Sequence, residues 1–196
     1  MKHFNRLFTQ RRIFWIFAVI MLVPNIFLCF TEHLPALFKV SYILIPGALY
    51  LVLLNLSRKP GITFWALLPL HFISAVQLVL LYLFGNSIIA SDMFLNIFTT
   101  NSGEAFELLD KLAPAVVGVF VLYLPALALA VYSIRRSDTL SPLFRKRIFM
   151  LTMLMLGSGV LVYTPAHRKA PHRARLDNLY PINAFNNARF AVRSWE

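Results

Sequence analysis

Three polar side chains in an otherwise apolar chain are spaced for joint work: Asn96, Thr100 and Glu104 recur at i, i+4 and i+8. On a helix they share one face with slow drift. Ser91 or Asp92 supplies a cap for the start of such a helix, and Met93, Ile97 and Leu108 supply its apolar contact. The reading is a helix at a membrane surface holding a polar stripe toward an aqueous cleft. The plainer alternative is the solvated face of an interfacial helix, with Thr99, Asn101 and Ser102 in a turn near Gly103. An amide, a hydroxyl and a carboxylate bind and orient; without a nucleophile or a metal they make no hydrolase site. No other cluster competes. The single cysteine, Cys29, lies inside an apolar block and reads as a small buried hydrophobe. His3, His33, His71, His167 and His172 are scattered, the last two beside Arg and Lys, so no metal site is assigned.

The elements that must position the stripe follow from composition. The 196 residues are 59% hydrophobic and 14% charged, with 18 phenylalanines and a mean hydropathy of +0.68. That balance excludes an ordinary soluble domain. The apolar residues come in blocks near the roughly 20 residues a spanning helix requires. Five spans are predicted, at about Ile13–Phe30, Phe38–Leu56, Ile62–Phe84, Leu112–Ile134 and Ile148–Tyr163. The first resembles a signal peptide in its basic start but lacks a small-residue cleavage site, so it is read as retained. Pro24, Pro46, Pro69 and Pro125 fall inside spans, where neighbouring helices tolerate them. The fold class is thus all-α: about five transmembrane helices over residues 1–165, an outer-side interfacial segment at 91–111, and a tail, 166–196. In that tail Ile182, Phe185, Val192 and Trp195, with Arg189 and Arg193 among them, predict a juxtamembrane helix lying along anionic head groups.

The net charge is +11, and its placement beside the spans argues for membrane topology and not for nucleic acid. Lys2, Arg6, Arg11, Arg12, Arg58, Lys59, Arg135, Arg136, Arg145, Lys146 and Arg147 fall before span one and in the loops after spans two and four. Only Lys39 and Lys111 fall in the alternate loops. Eleven against two predicts a cytoplasmic N-terminus, and an odd span count then sends the tail outside. Six basic residues in that tail oppose this, so counts of four or six spans stand as the alternative.

The segment from Asp92 to Leu109, DMFLNIFTTNSGEAFELL, resembles the membrane domain of the phosphoethanolamine transferases. Its Asn96-x-x-x-Thr100-Asn101-x-x-Glu104-Ala105 run, the five spans, the short basic loop before the fifth and Leu179-Tyr180-Pro181 in the tail carry the likeness over essentially the whole chain. The resemblance implies a bacterial inner-membrane enzyme part, moving phosphoethanolamine from phosphatidylethanolamine to lipid A or another envelope glycan. It implies that Asn96, Thr100 and Glu104 belong to the donor pocket: the carboxylate suits the ethanolamine ammonium, the amide and hydroxyl suit phosphate or ammonium. It also implies a downstream periplasmic catalytic domain with a threonine nucleophile and zinc. No such nucleophile or zinc site is readable here, so the chain is expected to be a membrane-domain fragment or truncated frame, not catalytic alone and binding no cofactor itself. Two other classes compete. One is a non-enzymatic inner-membrane scaffold or assembly protein. The other is a small transporter, disfavoured because ionisable residues are nearly absent from the spans.

Overall fold

Hydroxyl side chains or prolines stand at several helix starts, and cations meet the last carbonyls of two helices. In the computed structural model the residues described are 8–31, 33, 35–84, 102–169, 171, 175–176 and 179–195. Helix α1, Gln10–Thr31, begins after Thr9, whose hydroxyl accepts the Arg12 amide at 3.4 Å. Helix α2, Ala36–Asn55, follows Pro35, and Pro60 fills the first position of α3, Pro60–Ala66, where its missing N–H costs nothing. Helices α4, Leu68–Phe84, α5, Ser102–Arg135, α6, Pro142–Lys169, and α7, Ile182–Trp195, complete the fold. Ser141 caps α6 by accepting the Phe144 amide, with Pro142 next in line. Among the described residues there are helices and no strands.

Four helices are long and apolar enough to cross a membrane, and five spans result when α3 and α4 count as one bent span. The stretch expected as a single span from Ile62 to Phe84 is two helices meeting at 65° around Leu67. Pro69, on the second residue of α4, explains the break: it brings no N–H to the ladder and its ring crowds the carbonyl four residues back. At the break the Phe64 carbonyl also finds a partner, because the His71 Nε2–H donates to it at 2.9 Å. Residues 91–101 of the expected interfacial segment lie outside the described residues. From Ser102 the backbone is already the first part of α5, continuous with the span.

Helices α1 and α2 form the centre, half of each span being buried, whereas only 17% of the α5 and α6 spans is. The most extensive pairing is α2 with α6, where Gly159 meets the Ile45 side chain so tightly that an added Cβ would lie 2.9 Å from Ile45 Cγ1. Small residues are what let membrane helices approach. The outward faces of α5 and α6 carry large bare side chains, among them Val121 and Leu154 at 67% and 69% exposure. Apolar surface of that extent belongs against lipid.

Candidate functional site

The bundle holds polar groups in two layers. The basic layer lies where α1 begins and where α2, α5 and their loops end. Helix C-termini leave four carbonyls each without partners, and here the loop cations and Gln10 take them. The Gln10 amide donates to the Ser133 carbonyl at 2.9 Å and to the Asp138 carbonyl at 3.1 Å. Lys59 Nζ donates to the Ile134 carbonyl at 2.7 Å, and Arg145 Nη2 to the Asn55 carbonyl at 2.8 Å. Positive charge at the negative end of a helix dipole is favourable in itself. Arg136 pairs with Asp138, which raises its pKa above the usual guanidinium value, and donates to the Phe8 carbonyl and the Tyr132 hydroxyl. Several of the residues that set the topology in the sequence are therefore also caps.

The second layer lies in the half of the bundle away from those loops and is built around one tail residue. Tyr180, just before α7, is fully buried among α1, α2 and α4. Its amide donates to the Tyr42 hydroxyl at 3.0 Å, its carbonyl accepts from Asn25 Nδ2 at 2.8 Å, and its hydroxyl is hydrogen-bonded to the Ser74 hydroxyl at 2.6 Å. The Tyr50 hydroxyl donates to Asn25 Oδ1 at 3.2 Å. Two tyrosines, an asparagine and a serine thus converge from three helices onto a segment that returns from outside the spans. Below it, His71 packs between Phe64, 4.1 Å away by ring centres, and Tyr123, at 5.8 Å. These neutral groups can hold and orient.

Of the residues singled out in the sequence, Asn96 and Thr100 lie outside the described residues. Glu104 stands on the early part of α5, its side chain likewise outside them. Cys29 is buried at 6% exposure with its Sγ 3.5 Å from the Lys39 carbonyl, as a small core residue would be. Among the described residues no three or more of His, Cys, Asp and Glu gather where a metal could be held. Sequence reasoning passed over Asn25 and Ser74, and named Tyr180 only within the Leu179-Tyr180-Pro181 likeness, without a structural role. The signal was present for the first two: a polar residue inside an apolar span must find a partner there. For Tyr180 it was Leu179-Tyr180-Pro181, an apolar knot in a basic tail.

Two apolar grooves flank the bundle along α5. One, of about 560 Å³, is lined by α1, α4 and α5, with Thr31, Tyr82 and Ala115 toward the end away from the basic layer; the other, of about 440 Å³, lies between α1 and α5 toward the basic layer. Leu122 lines both. Glu104 lies eleven residues before Ala115 on the same helix, about 16 Å along its axis at 1.5 Å per residue.

No curated protein and no solved structure matches the chain. A family model does: residues 47–187, well over half of the chain, match the phosphoethanolamine transferase EptA/EptB model for the N-terminal domain. Apolar helices enough for four or five spans and this match agree, and the chain is a multi-pass membrane protein that belongs to the EptA/EptB phosphoethanolamine transferase family.

Proposed function

We propose that this chain is the membrane domain through which a transferase draws phosphoethanolamine from phosphatidylethanolamine and passes it to lipid A or another envelope glycan. It sits in the bacterial inner membrane with its N-terminus cytoplasmic and its tail periplasmic. The observation that carries the reading is the family match over residues 47–187. In this reading the spans anchor the catalytic domain at the bilayer, and the outer groove takes a donor acyl chain while Asn96, Thr100 and Glu104 hold the head group. Holding a lipid at the interface raises its effective concentration and alignment, which is worth a sizeable part of a rate enhancement. The zinc expected of the family belongs to the catalytic domain; no residue described here fits it, and no step is assigned to it in this chain. The chain alone then binds lipid weakly and turns nothing over.

The test is Glu104→Gln in the chain joined to its catalytic domain, with transfer followed from head-group-labelled phosphatidylethanolamine. Losing one charge-assisted contact of about 1.5–3 kcal/mol predicts transfer at least roughly tenfold slower. Full retained transfer rejects Glu104 as a donor-pocket residue.

A further inference from the structure

The larger groove and the tail joint share their helices. On α1 the groove is lined by Val23 and Phe27, while Asn25 between them donates to the Tyr180 carbonyl at 2.8 Å. Two residues along a helix turn it by about 200°, so the joint and the groove lie on opposite faces of α1. On α4 the tie is Ser74, whose hydroxyl is bonded to the Tyr180 hydroxyl at 2.6 Å. Leu78 and Leu81 continue the stripe of Ser74 along α4, and both line the groove. Leu81 has a second neighbourhood: it belongs to the buried cluster that also holds Leu28, Leu179, Tyr180 and Ala184. One tail residue therefore grips two walls of the groove from behind, α1 by its carbonyl and α4 by its hydroxyl.

We propose that Tyr180 is a positioning residue for this groove: it sets the separation of α1 and α4, and with it the width available to a phospholipid acyl chain. Lipid gives helices no hydrophobic reason to stay together, so their spacing rests on packing and on the hydrogen bonds between them. A phenylalanine at 180 would fill the same space in the cluster. It would leave Ser74 without the tie to the tail, and the wall carrying Leu78 and Leu81 would lose a bond that fixes it relative to α1. The linkage is reciprocal: a chain that binds better when the tail is seated also favours the seated tail. That the occupant is an acyl chain rests on the donor-lipid reading above, whereas the dependence of the groove on Tyr180 rests on the bonds themselves.

The test is the distance between spin labels on Phe30→Cys of α1 and Tyr82→Cys of α4, both exposed, in a Cys29→Ala chain held in lipid nanodiscs. Double electron–electron resonance reads it. Tyr180→Phe and Ser74→Ala are each expected to shift and broaden the distance distribution, and the double variant no further, because both remove the same bond. Ser74→Thr, which keeps a hydroxyl, retains the narrow distribution. Ser133→Ala, which breaks bonds at the other end of the bundle, leaves it unchanged and so separates positioning from a general loss of stability. Retention of phosphatidylethanolamine, followed by native mass spectrometry from mixed micelles, is expected to fall roughly threefold in Tyr180→Phe, as for one bond between membrane helices. It falls also in Gly118→Phe, which fills the groove from a position with open space around it. An unchanged label distance in Tyr180→Phe overturns the proposal whatever the lipid does, and so does an equal change in Ser133→Ala. A changed distance with retention untouched by Gly118→Phe upholds Tyr180 as the positioning residue and rejects the acyl chain as the occupant.

Discussion

Gly61 is the residue on which the third span depends for its closeness to the fourth. A Cβ placed there would stand 2.3 Å from the Ala130 carbonyl oxygen and 2.9 Å from Ser133 Cβ, both on α5 and neither able to swing aside. The same approach lets the Gly61 amide donate to Ser133 Oγ at 3.2 Å, and Ser133 Oγ in turn donates to Gln10 Oε1 at 2.7 Å. Three helices are joined through that contact. Gly61→Ala therefore costs about 1–3 kcal/mol by overpacking, whereas Gly157→Ala, with open space around it, is neutral or stabilising by up to about 1 kcal/mol. Unfolding midpoints of the two variants in the same detergent check this; equal midpoints would remove Gly61 from the helix contact. The sequence contains both glycines in apolar surroundings and does not distinguish them, because the difference lies in which helix faces each one.

The helices themselves were largely legible, because bilayer-length apolar runs declare themselves by composition. What was not legible is how the elements are joined. The break at Leu67 needs Pro69 in a segment where His71 gives the Phe64 carbonyl a partner, and the apolar run through it shows no seam. The junction of the tail is the larger case. Basic residues such as Arg168, Lys169 and Arg175 mark the tail as polar, yet Leu179, Tyr180 and Ala184 in its middle are buried at 1% exposure or less. Asn25 holds the returning backbone from one side by donating to the Tyr180 carbonyl, as the Tyr42 hydroxyl does from the other by accepting its amide. Asn25→Leu strands that carbonyl and the Tyr50 hydroxyl in an apolar interior, a cost of about 1–3 kcal/mol for an unsatisfied group. Tyr180→Phe removes only the Ser74 contact, about 1 kcal/mol on the scale of hydrogen bonds between membrane helices. Limited trypsin cleavage at the exposed Arg175 measures the joint: it is expected to run several-fold faster in Asn25→Leu, and only slightly faster in Tyr180→Phe. Identical rates in the wild type and both variants would mean the tail is held elsewhere.

At the scale of the molecule the two polar layers define two ends, and the ends carry the question of how many times the chain crosses. Charge counting alone left it open, because the tail is as basic as the loops. The joint at Tyr180 bears on it directly. Its partner Asn25 is fifteen residues along α1 from Gln10, about 22 Å at 1.5 Å per residue, while Gln10 is bonded to the loop after α5. The tail joint therefore lies toward the opposite end of the bundle from the basic loops. That separation is what an odd number of crossings predicts, with α3 and α4 acting as one bent span; the tail charges are compatible with it because the rule of basic cytoplasmic loops governs short loops above all. Asn96 and Thr100, proposed for the donor pocket and outside the described residues, add nothing to this. Cysteines placed at Lys146 and at Phe185, both exposed, in a Cys29→Ala chain, decide the matter with a membrane-impermeant maleimide. The Phe185→Cys chain is expected to label in intact cells whose outer membrane has been opened, and the Lys146→Cys chain only after the inner membrane is permeabilised. Labelling of both from the same side would mean an even count, and would place the tail's basic residues on the cytoplasmic face beside the loops they resemble.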